Sequence, residues 1–132
     1  MIRYYKYQNK SNIAKVNGKW FLRIKNGEQV DIDKLAEHMA VHNTPYSKGA
    51  IKGILTDMVA CIKELLLDGK TVKLADLAIF SLGIHCSGAD DPSTATVANI
   101  RSFTFNARGT GELSPKVVME KAHLKELDAY SL

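Results

Sequence analysis

This sequence has few cysteines. It has no apolar run long enough to cross a membrane, and it does not open with an apolar leader. Its two cysteines, Cys61 and Cys86, are too few for a disulfide framework or a cysteine-ligated metal cluster. No apolar run approaches the roughly 20 residues that cross a bilayer. The opening MIRYYKYQNK lacks the apolar block of a secretory signal. These features predict a cytoplasmic protein with reduced thiols and no membrane partner.

Motifs for catalysis and metal binding are also missing. There is no glycine-rich phosphate loop, no nucleophile motif and no pair of acidic residues accompanied by the other side chains that catalysis would need. His38 and His42 have a spacing that can hold zinc on a helix, but no third ligand is evident nearby. We therefore expect no enzyme activity, no cofactor, no metal and no small-molecule substrate.

Positive charge is concentrated in the first thirty residues. The 132-residue chain has a net charge of +4, with 45% hydrophobic and 24% charged residues, which is typical of one soluble globular domain. Residues 1–30 contain seven Lys or Arg against Glu28 alone, a net charge of +6. Residues 31–68 carry −2 and residues 69–132 are neutral. The basic segment either attracts a polyanion or forms an ordinary solvated surface.

The basic segment has the pattern of a β-hairpin. Residues 2–8, IRYYKYQ, and the later stretch KWFLRIKNG both alternate, and Asn17-Gly18 between them is a turn signal. We expect residues 1–29 to form a basic hairpin extension and residues 30–132 to form the main domain.

Two helices are predicted after residue 30, and Asp31 and Asp33 favour the start of the first through capping and the helix dipole. Ile32, Leu35, Ala36 and Met39 share one helical face, and Pro45 then breaks the helix. The next helix, with Ser47 as its predicted N-cap and Gly69 past its end, has a broad apolar stripe. That stripe must pack on a sheet, another helix or another subunit.

A three-stranded antiparallel sheet follows, with one apolar and one polar face. Apolar residues alternate in TVKL, AIFSLGIH and NIRSFTFNAR, which places them on one side of the sheet. The opposite face takes Lys73, Ser81, His85, Ser102, Thr104, Asn106 and Arg108. A last helix is predicted from Ser114-Pro115 through KVVMEKAHLKELDAY. The fold class is therefore α+β.

This arrangement resembles the HU/IHF family of bacterial histone-like DNA-binding proteins. The resemblance rests on LAEHMAVH, on the turn TPYSKGAI, on LLLDGKTVKLADLAIF and on the strand SFTF, and it covers about residues 30–120. The basic hairpin before it is similar to an extended HU-related subgroup that carries an additional N-terminal strand segment.

The resemblance implies an intertwined homodimer that binds double-stranded DNA in the bacterial nucleoid. Two sheets would form a saddle, and two hairpin arms would embrace the duplex, each with a proline that wedges between base pairs. Binding would use backbone contacts with low sequence specificity, and the DNA would be bent. The expected DNA-binding residues are Lys70, Lys73, Pro92, Arg101, Ser102, Thr104, Asn106 and Arg108.

The arm tip departs from the family pattern. Where the family has Arg-Asn-Pro-x-Thr-Gly, this chain has Asp90, Asp91, Pro92, Ser93, Thr94 and Ala95. Aspartates are repelled by phosphates, so Pro92 is either a wedge or only a turn residue. The arm is also shorter than usual. These departures leave an alternative open, in which the HU-like fold serves as a protein-interaction or assembly module with weak or no DNA binding.

Overall fold

The computed structural model describes residues 1–127, which form two compact units. The terminal unit combines Met1–Gln29 with the chain from Val118 onward, and the central unit is Val30–Val117. The elements are β1 (Ile2–Gln8), β2 (Trp20–Ile24), α1 (Ile32–Ala40), α2 (Lys48–Leu67), β3 (Val72–Leu74), β4 (Ala78–Cys86), β5 (Ile100–Gly109), α3 (Pro115–Lys121) and β6 (Leu124–Glu126). The α+β prediction is confirmed.

The predicted N-terminal hairpin is present in the terminal unit. β1 and β2 pair antiparallel, with Tyr4 opposite Ile24 and Gln8 opposite Trp20. Gly18 takes a left-handed backbone, φ +81°, in the connecting turn, which glycine adopts without a steric penalty.

The last helix is shorter than predicted, because the chain turns into a strand. α3 ends at Lys121, and β6 then pairs parallel to β1 with Ile2 opposite Leu124. The amide of Leu127 donates to the carbonyl of Tyr4 at 2.9 Å. This pairing provides hydrogen-bond partners for the backbone groups at the free edge of β1. Because these partners are distant in the sequence, a local helical pattern does not reveal the pairing. The rest of the predicted helix, residues 128–132, lies outside the described residues.

The central unit begins with two capped helices. Asp31 Oδ1 accepts from the Lys34 amide at 2.9 Å, and Ser47 Oγ accepts from the Ala50 amide at 3.1 Å. These are the N-caps that the sequence predicts. Gly69, with φ +79°, follows the end of α2 as expected. No helix within residues 1–127 combines the length and apolarity that a membrane crossing requires.

An ion-pair cluster links α1 to α2. Asp33 contacts Lys52 Nζ at 3.1 Å and Lys48 Nζ at 3.4 Å. Hydrogen bonds from Lys52 and Lys48, reinforced by their charges, hold the pKa of the Asp33 carboxyl below its usual value. All three side chains are about half exposed, so the cluster adds little to the stability of the fold.

The second sheet has the order β3-β4-β5 and is antiparallel throughout, as predicted. Its register places Phe80, Leu82 and Ile84 on one face with Phe105 and Phe103, while the opposite face is polar with one exception. Ile79 lies on the polar face between Lys73 and Arg108. The expectation that every large apolar residue shares one face is therefore wrong at this position.

The apolar face of this sheet packs against α2 but is not covered by it. Among the described residues, the side chains that are buried are Ala36, Ile51, Leu66 and Ala78. A groove of 370 Å³ between α2 and the sheet is lined by apolar residues that include Met58, Leu66, Leu74, Phe80, Leu82 and Phe105. Phe103 and Phe105 are 68% and 61% exposed. A single chain therefore leaves a large apolar surface open.

The end of β5 turns tightly against the β3–β4 connection. Asp76 adopts a left-handed backbone, φ +61°, and its Oδ1 accepts from the Glu112 amide at 3.2 Å. The Thr110 amide donates to the Leu77 carbonyl at 3.2 Å. A Cβ at Gly109 would collide with the backbone carbonyl of Leu113. The turn therefore requires glycine at position 109.

We predict that Gly109→Ala lowers the free energy of unfolding by about 2 kcal/mol, because the backbone must move to admit the methyl group. Urea denaturation followed by circular dichroism, at one fixed protein concentration, measures the change. Gly88→Ala is the control, since a Cβ there meets nothing within 4 Å, and it should stay within about 0.5 kcal/mol of the parent. Equal stabilities for the two variants would contradict this account of the turn.

Candidate nucleic-acid interface

The polar face of the β3-β4-β5 sheet is the candidate interface. Its first row runs across all three strands, with Ile79 of β4 flanked by Lys73 of β3 and Arg108 of β5. Both basic side chains are exposed, and neither has an ion-pair partner within residues 1–127. They are free to meet an anion.

The middle of the face is shaped by a missing side chain. Gly83 pairs with Thr104, and a Cβ at Gly83 would lie 2.8 Å from Thr104 Oγ1 and 3.2 Å from Asn106 Nδ2. The two polar groups therefore lean over the glycine from the neighbouring strand. A glycine within a strand often marks such a close approach. The hydroxyl and the amide together offer donors to phosphate and sugar oxygens.

The remaining rows are polar and carry no acid. Ser81 pairs with Asn106, and His85 pairs with Ser102. No strand residue on this face is Asp or Glu. The sequence pattern predicted Ser81 and His85 on this face without including them among the DNA-binding residues; the register places both in the same rows as the candidates.

Two basic candidates lie away from these rows. Lys70 is in the turn after α2, and its Nζ contacts Asp68 Oδ2 at 3.0 Å, which offsets its charge. Arg101 is exposed on β5 at an irregularity, where the register passes from Ser102 opposite His85 to Ile100 opposite Cys86. Arg101 is the residue that the register skips, so its side chain does not follow the strict alternation.

The arm between β4 and β5 is a short, internally bonded loop. Pro92 is exposed and begins a one-turn 3₁₀ helix, Pro92–Thr94. Asp91 Oδ2 accepts from Ser93 Oγ at 2.6 Å, and the Asp91 carbonyl accepts from Thr94 Oγ1 at 2.9 Å. Asn99 Oδ1 accepts from the Thr96 amide at 2.9 Å in a second turn. Asp91 therefore has a local structural partner, while Asp90 is an exposed charge beside it.

The structure thus brings together five of the eight predicted residues and separates three. Lys73, Ser102, Thr104, Asn106 and Arg108 share the polar face. Lys70, Arg101 and Pro92 lie in a turn, at the strand irregularity and in the arm. Whether any of them contacts DNA stays a prediction.

Two solved structures are similar to this chain, and the first of them supports the fold. A protein from Bacteroides vulgatus, provisionally described as a bacterial DNA-binding protein, superposes with a TM-score of 0.68 at 10% identity. The match covers 96% of this chain but 47% of that one, so this chain spans about half of that structure. The HU–DNA cocrystal structure from Anabaena gives a TM-score of 0.45 at 18% identity, covering 69% of this chain and 95% of that one.

A family model covers most of the chain. No curated protein matches the sequence. Residues 1–118, which include the N-terminal hairpin and the central unit, match the model described as an HU domain fused to wHTH, Ig, or Glycine-rich motif. This chain belongs to that HU-related family, HU-HIG.

Proposed function

We propose that this protein is a non-enzymatic, histone-like DNA-binding protein that grips duplex DNA by its backbone, with low sequence specificity. The observation that carries the proposal is the acid-free polar face, with Lys73 and Arg108 exposed and unpaired beside the Thr104 and Asn106 donors. Family membership supports the same function. The protein would act in the nucleoid of a bacterial cytoplasm, with residues 1–29 as an extension of the 30–132 domain.

Backbone contacts account for the proposed lack of sequence preference. Lysine, arginine, hydroxyl and amide groups position a protein on phosphates and sugars but do not read bases. Preference among sites would then come from how easily each DNA sequence bends. Because the face carries few cations per chain, we propose moderate affinity that depends on both copies of a dimer.

A homodimer is proposed from the uncovered apolar face. Four buried side chains are a small core for the described residues, and the open groove lies beside the most exposed phenylalanines. A second copy offers the same apolar surface, and its burial would stabilise both chains. The polar faces of the two sheets would then form one continuous saddle.

We predict that Phe103→Asp prevents dimerisation, because it places a charge in the apolar interface. Light scattering coupled to size exclusion should give about twice the 14.6 kDa chain mass for the parent and about one chain mass for the variant. Ser102→Asp is the matched control on the next residue and the opposite face, and it should remain a dimer. A monomeric parent, or a dimeric Phe103→Asp, would contradict the proposed interface.

Duplex binding is predicted to weaken steeply with salt. We expect binding to a short duplex at about 50 mM salt, with a linear fall of log K against log salt. Arg108→Gln should reduce that slope by about two per dimer, since one phosphate contact is lost from each chain. Lys116→Gln removes the same charge from α3 and should leave the slope unchanged. No binding at low salt would overturn the proposed function.

The acidic arm tip is predicted to oppose binding. Asp90→Asn removes an exposed charge that the arm's hydrogen bonds do not use, so it should tighten duplex binding several-fold at low salt. The difference should shrink as salt rises, because screening removes the repulsion. Titration of a labelled duplex at two salt concentrations measures both effects. Unchanged affinity would indicate that the tip stays away from the phosphates.

A protein-interaction module is the second candidate, favoured by the open edge of β5. This ten-residue strand pairs with β4 on one side, and it is the outer strand of its sheet in the described chain. Such an edge can accept an added strand from a partner. Recovery of a stoichiometric protein partner that survives nuclease treatment, together with failure of the salt titration, would favour this candidate.

A further inference from the structure

The terminal unit has a face that is both basic and aromatic. In the sheet of order β2-β1-β6, Tyr5 lies opposite Arg23, Tyr7 opposite Phe21 and Arg3 opposite Lys125. Residues opposite each other in register share a face. We call this surface the basic aromatic face; its members are Arg3, Tyr5, Tyr7, Phe21, Arg23 and Lys125.

The arginine at the centre of this face is held in place by aromatic rings. The Arg23 Cζ lies 4.4 Å from the centroid of the Tyr7 ring, which in turn lies 5.9 Å from the Phe21 ring. A hydrogen bond with Tyr5 raises the pKa of the Arg23 guanidinium, a group that is charged at any physiological pH. An ordered guanidinium loses less conformational freedom when it binds an anion.

Carboxylates are absent from the strand positions of this face within residues 1–127. The strand acid of this sheet, Glu126, lies on the opposite face and contacts Lys6 at 3.2 Å. In the part of the chain that the structure describes, Arg3, Arg23 and Lys125 therefore present three positive charges that no carboxylate at a strand position of their own face offsets. Such charge complementarity fits a polyanion.

We propose that the basic aromatic face is a second DNA-contact surface, which binds the phosphodiester backbone of duplex DNA. The proposal rests on the proposed function and adds a contact outside the polar face of the central unit. Phosphates fit better than unpaired bases, because Tyr5, Tyr7 and Phe21 are half-buried and Arg23 covers the Tyr7 ring. The tyrosines thus serve to orient the arginine, while Arg3, Arg23 and Lys125 meet the phosphates.

The test compares two double variants that each remove two positive charges. Arg23→Gln/Lys125→Gln changes the basic aromatic face, and Lys10→Gln/Lys15→Gln changes the exposed β1–β2 connection of the same unit. Each is titrated against a labelled 30-base-pair duplex, the length being about three helical turns, and against a single strand of equal length. The full chain is used throughout, over a series of salt concentrations.

The face variant should bind the duplex about tenfold more weakly at 0.1 M salt, with a salt slope reduced by about two for each engaged chain. The loop variant should stay within about twofold of the parent. Equal losses in the two variants would overturn the proposal, because they would report net charge alone. A loss confined to the single strand would also overturn it. A parent that binds no duplex at all would instead overturn the proposed function.

A charge-preserving variant guards against a folding defect. Arg23→Lys/Lys125→Arg keeps both charges and should retain duplex affinity within about threefold, whereas a loss as large as that of the glutamine pair would overturn the proposal. Trp20 is the one tryptophan of the sequence and lies in β2 with its side chain on the opposite face. Its fluorescence should be the same in the parent and in every variant, which reports an intact sheet.

Discussion

The need to bury one apolar sheet face is the constraint from which the rest of the central unit follows. Residues alternate across a strand, so the sequence that places Phe80, Leu82 and Phe105 toward α2 also places polar groups outward. The candidate interface is therefore a geometric consequence of the core. Because the apolar face exceeds what α2 covers, the same constraint calls for another molecule, and we propose a second copy.

Negative charge is distributed unevenly between the two candidate faces and the rest of the described chain. Both candidate faces are free of carboxylates at their strand positions. Within residues 1–127, acids occur on helices, in turns, at the arm tip and, as Glu126, on the opposite face of β6. Asp33 and Asp68 are engaged by lysines, and Asp91 by its own turn. This distribution of charge suits a protein whose sheet faces contact DNA phosphates. It disfavours binding through the arm tip, because the aspartates there are repelled by phosphates.

Local signals in the sequence predicted most of the fold. The features that were not predicted depend on pairing between strands that are distant in the sequence. The caps at Asp31 and Ser47, the turn at Gly18 and the period of the strands each depend on neighbouring residues. β6 depends on an edge more than a hundred residues away, so a helical pattern concealed it. The skipped Arg101 likewise depends on register. The close approach at Gly83 could be suspected from the sequence, because a glycine inside a strand is a known signal. Which side chains approach it, Thr104 and Asn106, depends on the pairing of β4 with β5.

Assembly and DNA binding would be coupled in the proposed dimer. One chain offers two unpaired strand cations on its polar face, Lys73 and Arg108, which is a weak electrostatic contact by itself. Doubling that number on one saddle would multiply the DNA-binding constant, since each phosphate contact contributes to log K and the polar face of the second chain would bind at a high effective concentration. In that dimer, the apolar face and the polar face would therefore act through one equilibrium: whatever opened the proposed phenylalanine interface would also remove the continuous surface on which the duplex would lie.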